Sequence, residues 1–356
     1  MGPAPGPALG QRYTFGVRGP GRRLNRRRGP WMAFRPSPPM TYICGTGTAV
    51  PSEVVTNAAL MARVDTNEAW ILSHTGIRER RRAAKDVDTS DLGAAATRAA
   101  LAAQGWDPAS LQLLICATST PDTLIPATAS WIGRKLGINP VSFDVNAACS
   151  GFVYGLAVAT SLMKTAGYTR AALCTAEKYT RVTDYDDRNT CIFFGDSAAT
   201  VLLAPDRPKV GFEIVDISME NANDGAEFVS TPIGGTFRQD GRRVKEYALR
   251  SFEKSARGML ARHGIGVGSL KAFCGHQANL RVLEEVAGRL GVSAAQHWYN
   301  VDTCGNQGAA GVITAFCTAA DSRAAELKDG DLFLLTVFGS GFTYGSALLR
   351  RVDARG

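Results

Sequence analysis

Beyond residue 40 the chain alternates two kinds of segment: short, almost unbroken apolar runs, and longer stretches whose apolar positions return every three to four residues. TYICGTGTAV (41–50) reads as a strand entering a glycine turn, 90–105 as a helix, LQLLICATS (111–119) as a strand and ATASWIGRKLG (127–137) as a helix. SFDVNAAC (142–149) is a strand running into a turn, followed by the small-residue helix GFVYGLAVATSLMKTAG (151–167) and the strand AALCTAEK (171–178). FFGDSAATVLLAP (193–205) then closes this stretch as a glycine-turn hairpin or strand pair. Apolar strands this short, set between helices, predict buried sheets covered on both faces in an α/β protein.

The second part repeats that order. VGFEIVDIS (210–218) is a strand, 245–262 a long helix, LKAFCGHQAN (270–279) a strand and loop, and LRVLEEVAGRLG (280–291) a helix. Residues 297–320 predict a further strand, a turn and a small-residue helix, and DLFLLTVFGSGFTYGSALLR (331–350) closes the chain body. Two features recur: Phe194-Gly195-Asp196-Ser197 resembles Phe338-Gly339-Ser340-Gly341, and the strand–turn–helix around Cys149 has an echo around Asn306. A tandem duplication of one α/β unit would bring both turns to a shared interface. The expected organisation is a leader over 1–39, a first half over 40–207 and a second half over 208–356.

Charge changes the picture only at the N-terminus. The formal net charge is +8, but residues 1–39 hold eight arginines, no acidic residue and half of the 16 prolines. The body is therefore near neutral, which argues against a dedicated nucleic-acid surface. The leader shows no apolar period, and GPWMAFRPSPP follows its arginine run where a secretory signal needs an apolar stretch. It is expected to be an unstructured extension, with Met40 the functional start. No apolar run approaches the ~20 residues that span a bilayer, so a cytoplasmic protein with no membrane contact is expected.

Eight cysteines without a CxxC pair, most inside apolar segments, predict reduced thiols rather than disulfides, and four histidines without HExxH predict no metal site. Cys149 differs from the other seven. It lies where a strand meets a helix, and amide N–H groups and the positive helix end there would favour a thiolate nucleophile. His276, in the polar loop FCGHQAN, reads as a presented side chain, and Asn306 stands among residues too small to block access. Together they suit a covalent acyl carrier whose second half-reaction needs neutral donors facing a carbonyl oxygen. GTGTAVP lacks the spacing of a nucleotide loop, so its glycines are expected to serve turn geometry.

The motifs WILSHTGIRERR (70–81), ATSTPD (117–122), DVNAACSGF (144–152), DDRNTCIFFGDSAA (186–199), GHQANLR (275–281), GN (305–306) and FGSGFTYGSAL (338–348) together resemble the β-ketoacyl-acyl-carrier-protein synthase III family of the thiolase-like superfamily. The resemblance implies a layered α-β-α-β-α fold of duplicated halves and an acyltransferase without metal or cofactor. Acyl-CoA would acylate Cys149, and malonyl-carrier protein, or malonyl-CoA, would then undergo decarboxylative condensation to a β-ketoacyl thioester. It further implies a Cys149–His276–Asn306 triad and an oxyanion hole of the Cys149 and Ser340 amides. Coenzyme A contacts would come from Trp70, Arg188 and Arg281, and Ile125 would reach across a homodimer to the partner's acyl pocket.

Several positions depart from that family pattern: His74 for an arginine, Ser197 for a glycine, QGAAG after Asn306, Tyr344 for a tryptophan, and Glu246 where a carrier-docking lysine is frequent, with Lys245 one residue earlier. They point to a specialised member, such as one supplying a starter unit in secondary metabolism. A non-decarboxylating acyltransferase acting on an amine or hydroxyl, and a weakly catalytic partner subunit, stay open as alternatives.

Overall fold

The computed structural model describes residues 40–354; the 1–39 leader lies outside them. The main sheet strands are β1 (Tyr42–Ala49), β2 (Leu113–Ala117), β3 (Val141–Val145), β4 (Ala171–Lys178) and β5 (Asp196–Ala204), then β6 (Val210–Asn221), β7 (Leu270–Gly275), β8 (Leu332–Gly339) and β9 (Thr343–Asp353). They run in the order β7-β8-β9-β6-β1-β5-β4-β2-β3.

Read by half, this is one topology twice. In the first half β2 pairs in parallel with β3 and β4, while β5 is antiparallel to β4 and β1. In the second, β7 is parallel to β8, and β9 is antiparallel to both β8 and β6. The counterpart of β3 is reduced to a single parallel bridge, Phe273 to His297. The predicted strand at 297–300 is thus a correction: the Gln277 side-chain oxygen accepts from the amides of Asn300 and Val301, and a short helix, Val301–Cys304, takes over. The halves join where Tyr42 and Ile43 pair with Glu213 and Phe212.

Helices α1 (Glu68–Thr75), α2 (Thr89–Gln104), α3 (Thr128–Leu136), α4 (Gly151–Ala166), α5 (Gly241–His263), α6 (Leu280–Leu290) and α7 (Ala309–Ser322) supply the remaining layers. α2 and α3 cover the outer face of the first half, and α5 with α6 cover that of the second. α4 and α7 lie between the halves and touch strands of both. Their small residues allow this: a methyl on Gly151 would fall 3.0 Å from the Ala309 Cβ. The central core gathers Phe152, Leu173, Phe316 and Phe333 from both halves, and separate apolar clusters sit beneath each outer helical layer.

The glycines of GTGTAVP do not make a turn. Gly45 and Gly47 lie within β1, where a Cβ on Gly47 would fall 2.3 Å from the Ala100 amide nitrogen and 2.4 Å from the Ala96 carbonyl. Their role is to let α2 press directly on β1. That helix starts with an Asp88–Asp91 capping box and ends at left-handed Gly105.

Candidate active site

Cys149 sits on a tight turn between β3 and α4. Ala148 before it has φ +46°, a left-handed conformation that L side chains rarely adopt. The turn is held from the other half: Thr343 Oγ1 donates to the Ala147 carbonyl at 3.0 Å, and Ser150 Oγ donates to the Thr343 carbonyl at 3.0 Å. A Cβ on Gly339 would fall 2.8 Å from the Cys149 nitrogen, so glycine there lets the end of β8 close over the turn.

The Asn306 turn is held in the reciprocal way. Its amide donates to the Phe193 carbonyl at 2.8 Å and its carbonyl accepts from Gly195 N–H at 3.0 Å. A Cβ on Gly195 would meet the Cys304 carbonyl at 2.1 Å. Each Phe-Gly turn noticed in the sequence therefore docks on the functional turn of the opposite half. Asn306 Oδ1 accepts from Gly308 N–H at 3.0 Å, which orients the amide and leaves its NH2 as the donor.

His276 leaves β7 with its N–H on the Thr336 carbonyl at 2.9 Å. Gln277, the next residue, packs on Gly311 of α7. The segments carrying Cys149, His276 and Asn306 thus converge at the N-terminal ends of α4 and α7. His276 is 2% exposed, and burial pushes its imidazole down to about 3, so it is neutral. Its Nδ1 has no hydrogen-bond partner among the described residues, which suits the tautomer that carries the proton on Nε2.

The thiol differs from the sequence expectation. Burial, followed by the nearby Glu177 carboxylate, pushes the Cys149 thiol up to about 12, outweighing the lowering exerted by the Tyr179 hydroxyl directed at it. Position at a helix end does not make a resting thiolate, because α4 begins at Gly151 and desolvation dominates. All eight cysteines are free.

Glu177 was not singled out in the sequence, although a lone carboxylate ending the apolar strand AALCTAEK is itself a signal. It is 0% exposed at the end of β4 and accepts from Ser119 N–H, Ser119 Oγ (2.9 Å), Thr120 Oγ1 (2.6 Å) and the Ala309 amide at the start of α7 (3.3 Å). Burial still outweighs these donors and holds its carboxyl up to about 7.

Trp70, Arg188 and Arg281 come together at the surface. The Arg188 guanidinium lies 4.8 Å from the Trp70 ring centre and the His74 ring 4.4 Å from it. Arg281 donates twice to the Leu72 carbonyl, at 3.0 and 3.1 Å, and Asn279 Nδ2 donates to the His74 carbonyl, pinning α6 to α1. Ile125 stands apart, 86% exposed beside Leu124 at 74%. Ser340 follows the end of β8, and its Oγ donates to the Val229 carbonyl at 2.7 Å.

Two departures from the family pattern form a matched pair. Ser197 Oγ donates to Gln307 Oε1 at 2.6 Å, and Gln307 Nε2 in turn donates to Asn300 Oδ1. Tyr344 is likewise accommodated, its hydroxyl accepting from Lys254. Lys245 pairs with Glu285 at 3.1 Å, while Glu246 faces Arg242.

The 3-oxoacyl-[acyl-carrier-protein] synthase III profile matches residues 143–223, and its C-terminal counterpart matches 260–351. A β-ketoacyl-[acyl-carrier-protein] synthase III of Erythrobacter litoralis is 39% identical over 317 residues, covering 86% of this chain and 98% of its own. One of Bradyrhizobium diazoefficiens is 38% identical, covering 87% and 98%. Among solved structures, the 3-oxoacyl-[acyl-carrier-protein] synthase III of Aquifex aeolicus superposes with TM-score 0.82 at 34% identity, covering 87% of this chain and 99% of that one. The priming β-ketosynthase of the R1128 polyketide pathway superposes at 0.80 with 29% identity, covering 90% and 98%.

Proposed function

The chain belongs to the 3-oxoacyl-[acyl-carrier-protein] synthase III family, and from that premise we propose how its own residues carry out a decarboxylative condensation. The enzyme is an acyltransferase of the condensing type, and its relatives do not favour a non-decarboxylating transferase or an inactive partner subunit. Its substrates are an acyl-CoA and a malonyl thioester, with acyl carrier protein as the malonyl carrier. No resident cofactor or metal is assigned.

Cys149 Sγ attacks the acyl thioester carbonyl, and the amides of Cys149 and Ser340 receive the oxyanion, with coenzyme A leaving as its thiolate. The malonyl thioester then enters, and its carbonyl oxygen faces His276 and Asn306. As CO2 departs, negative charge moves onto that oxygen. Two neutral donors stabilise it, and the carbanion attacks the acyl-Cys149 carbonyl. The observation that carries this reading is the neutrality of the two donors: burial keeps the His276 imidazole uncharged, and Asn306 is oriented through Gly308 so that its NH2 donates.

Trp70 offers its ring to adenine, and Arg188 and Arg281 offer charge to phosphates. The junction of the two halves lies at 207/208, in the connection from β5 to β6. The assembly is a homodimer in which Ile125 bounds the partner's acyl pocket. No helix among the described residues is long and apolar enough to cross a membrane.

Intact-protein mass spectrometry after incubation with short acyl-CoAs tests the first half-reaction. One acyl mass on Cys149, absent from Cys149→Ala, is the expected result; an adduct retained by that variant overturns the assignment.

A further inference from the structure

Gln307 directly follows Asn306, and Gln277 directly follows His276. Both glutamines are 0% exposed, and a buried amide is costly unless its oxygen and nitrogen are both partnered. The two share a partner. Gln277 Oε1 accepts the Asn300 amide at 2.9 Å and the Val301 amide at 3.1 Å, while Gln307 Nε2 donates to Asn300 Oδ1 at 3.1 Å. The outer ends are tied as well: Gln277 Nε2 donates to the Gly275 carbonyl at 2.6 Å, and Ser197 Oγ donates to Gln307 Oε1 at 2.6 Å. One line of hydrogen bonds therefore runs Ser197–Gln307–Asn300–Gln277, adjoining both residues that face the malonyl carbonyl.

We propose that Ser197, Gln307 and Asn300 are positioning residues for the condensation half-reaction, forming with Gln277 a brace that fixes where His276 and Asn306 stand relative to each other. The proposal rests on the condensing-enzyme reading above and names the residues of this chain that hold its two donors in register.

Three features of the structure fit this role. First, the line has a fixed sense. The Gly305 carbonyl, which can only accept, lies 3.4 Å from Gln307 Nε2, so that end of the amide faces Gly305 and Asn300 while Oε1 faces the Ser197 hydroxyl. Ser197 is itself fully buried, with Thr314 Oγ1 further off at 3.4 Å. Second, both glutamines rest on one glycine. A Cβ on Gly311 of α7 would fall 3.0 Å from Gln277 Cβ and 3.6 Å from Gln307 Cβ, so the helix seats the two side chains together. Third, the brace joins the halves. β5 brings Ser197 from the first half, just after the turn whose Phe193 carbonyl and Gly195 amide already hold the Asn306 backbone. The side-chain line carries that anchorage on to the residue after His276.

The consequence falls on one half-reaction. Acylation uses the Cys149 sulfur and the amides of Cys149 and Ser340, which lie outside this line. Decarboxylation needs two donors on one oxygen at once, and a misplacement of about 1 Å can cost on the order of 10²-fold in rate.

The test uses Ser197→Ala, which removes one hydroxyl at the far end of the line, Asn300→Ala, which cuts its middle, and the double variant. Each is compared with the parent in single-turnover acylation by acetyl-CoA and in CO2 release from malonyl-carrier protein by the acyl-enzyme. Acylation should stay within about twofold, while the turnover number for CO2 release should fall by roughly 10- to 100-fold with little change in KM. The double variant should lose no more than the worse single one, because either cut already frees Gln307. Unchanged CO2 release, equal loss in both half-reactions, or additive losses in the double variant would each overturn the brace; Ser197→Ala decides the first two alone if Asn300→Ala does not fold. A parent enzyme that acylates but releases no CO2 would defeat the condensing reading instead. The brace is then read without catalysis, by hydrogen–deuterium exchange over residues 299–303. Ser197→Ala should speed exchange of the Asn300 and Val301 amides, which Gln277 holds, by about tenfold or more; parent-like exchange there would overturn it.

Discussion

Asn306 is held by its own oxygen, which accepts the Gly308 amide, so replacing it removes a donor from a site built around neutral groups. Asn306→Ala should leave acylation of Cys149 within a few-fold of the parent and slow decarboxylative turnover by about 10²–10³-fold, measured as single-turnover acylation against steady-state condensation. Equal loss in both would remove its separate role. At this scale Cys149, His276 and Asn306 stand out along the chain as candidates because each lies where an apolar run ends among small or polar residues. The chain alone hides the basicity of the site. A cysteine next to a helix reads as a thiolate, and only the folded surroundings show that burial and Glu177 reverse that. Glu177 was unread for the same reason. A glutamate followed by lysine at a strand end looks solvated, whereas here it is fully buried among hydroxyls and amides from two other segments.

Most elements were legible from their periods, since both halves of the main sheet are covered on two faces and leave short apolar runs between helices. Two were not. The glycines of β1 looked like turn formers because periodicity carries no information about how closely a helix approaches. The strand expected at 297 shrank to one bridge because Gln277, 23 and 24 positions before Asn300 and Val301, takes up amides that a ladder would have used. Gly308 illustrates how an element end can govern the site. Gly308→Ala should destabilise the protein by roughly 1–2 kcal/mol from its positive φ alone, and more from the clash with Tyr179, whose Cε2 the new Cβ would meet at 2.2 Å. In a denaturant double-mutant cycle, Tyr179→Ala should recover part of that loss, so the two changes couple. Strict additivity would show that Tyr179 does not occupy the space Gly308 leaves.

Across the molecule, duplication explains why the site lies where it does. Each half contributes one functional turn and one Phe-Gly turn, and each Phe-Gly turn supports the other half's functional turn. Neither half holds a complete candidate site, and the motifs repeated along the chain are a direct sign of this arrangement. The same scale includes the proposed dimer. Ile125 and Leu124 stand almost fully exposed, and Val141 on the edge strand β3 is 52% exposed, a combination of bare apolar loop and open strand edge that monomers usually avoid. Ile125→Glu should shift the protein toward monomer in sedimentation velocity at micromolar concentration; an unchanged species, whether dimer or monomer in the parent, would exclude this loop from an interface.

The most direct test of the central claim is a chase of acyl-Cys149 enzyme with carboxyl-labelled malonyl-carrier protein, counting released CO2 against β-ketoacyl product. The account expects one labelled CO2 and one β-ketoacyl thioester for each acyl group lost from Cys149. An acyl-enzyme that persists through the chase, or discharges to an amine or alcohol without releasing label, would contradict it.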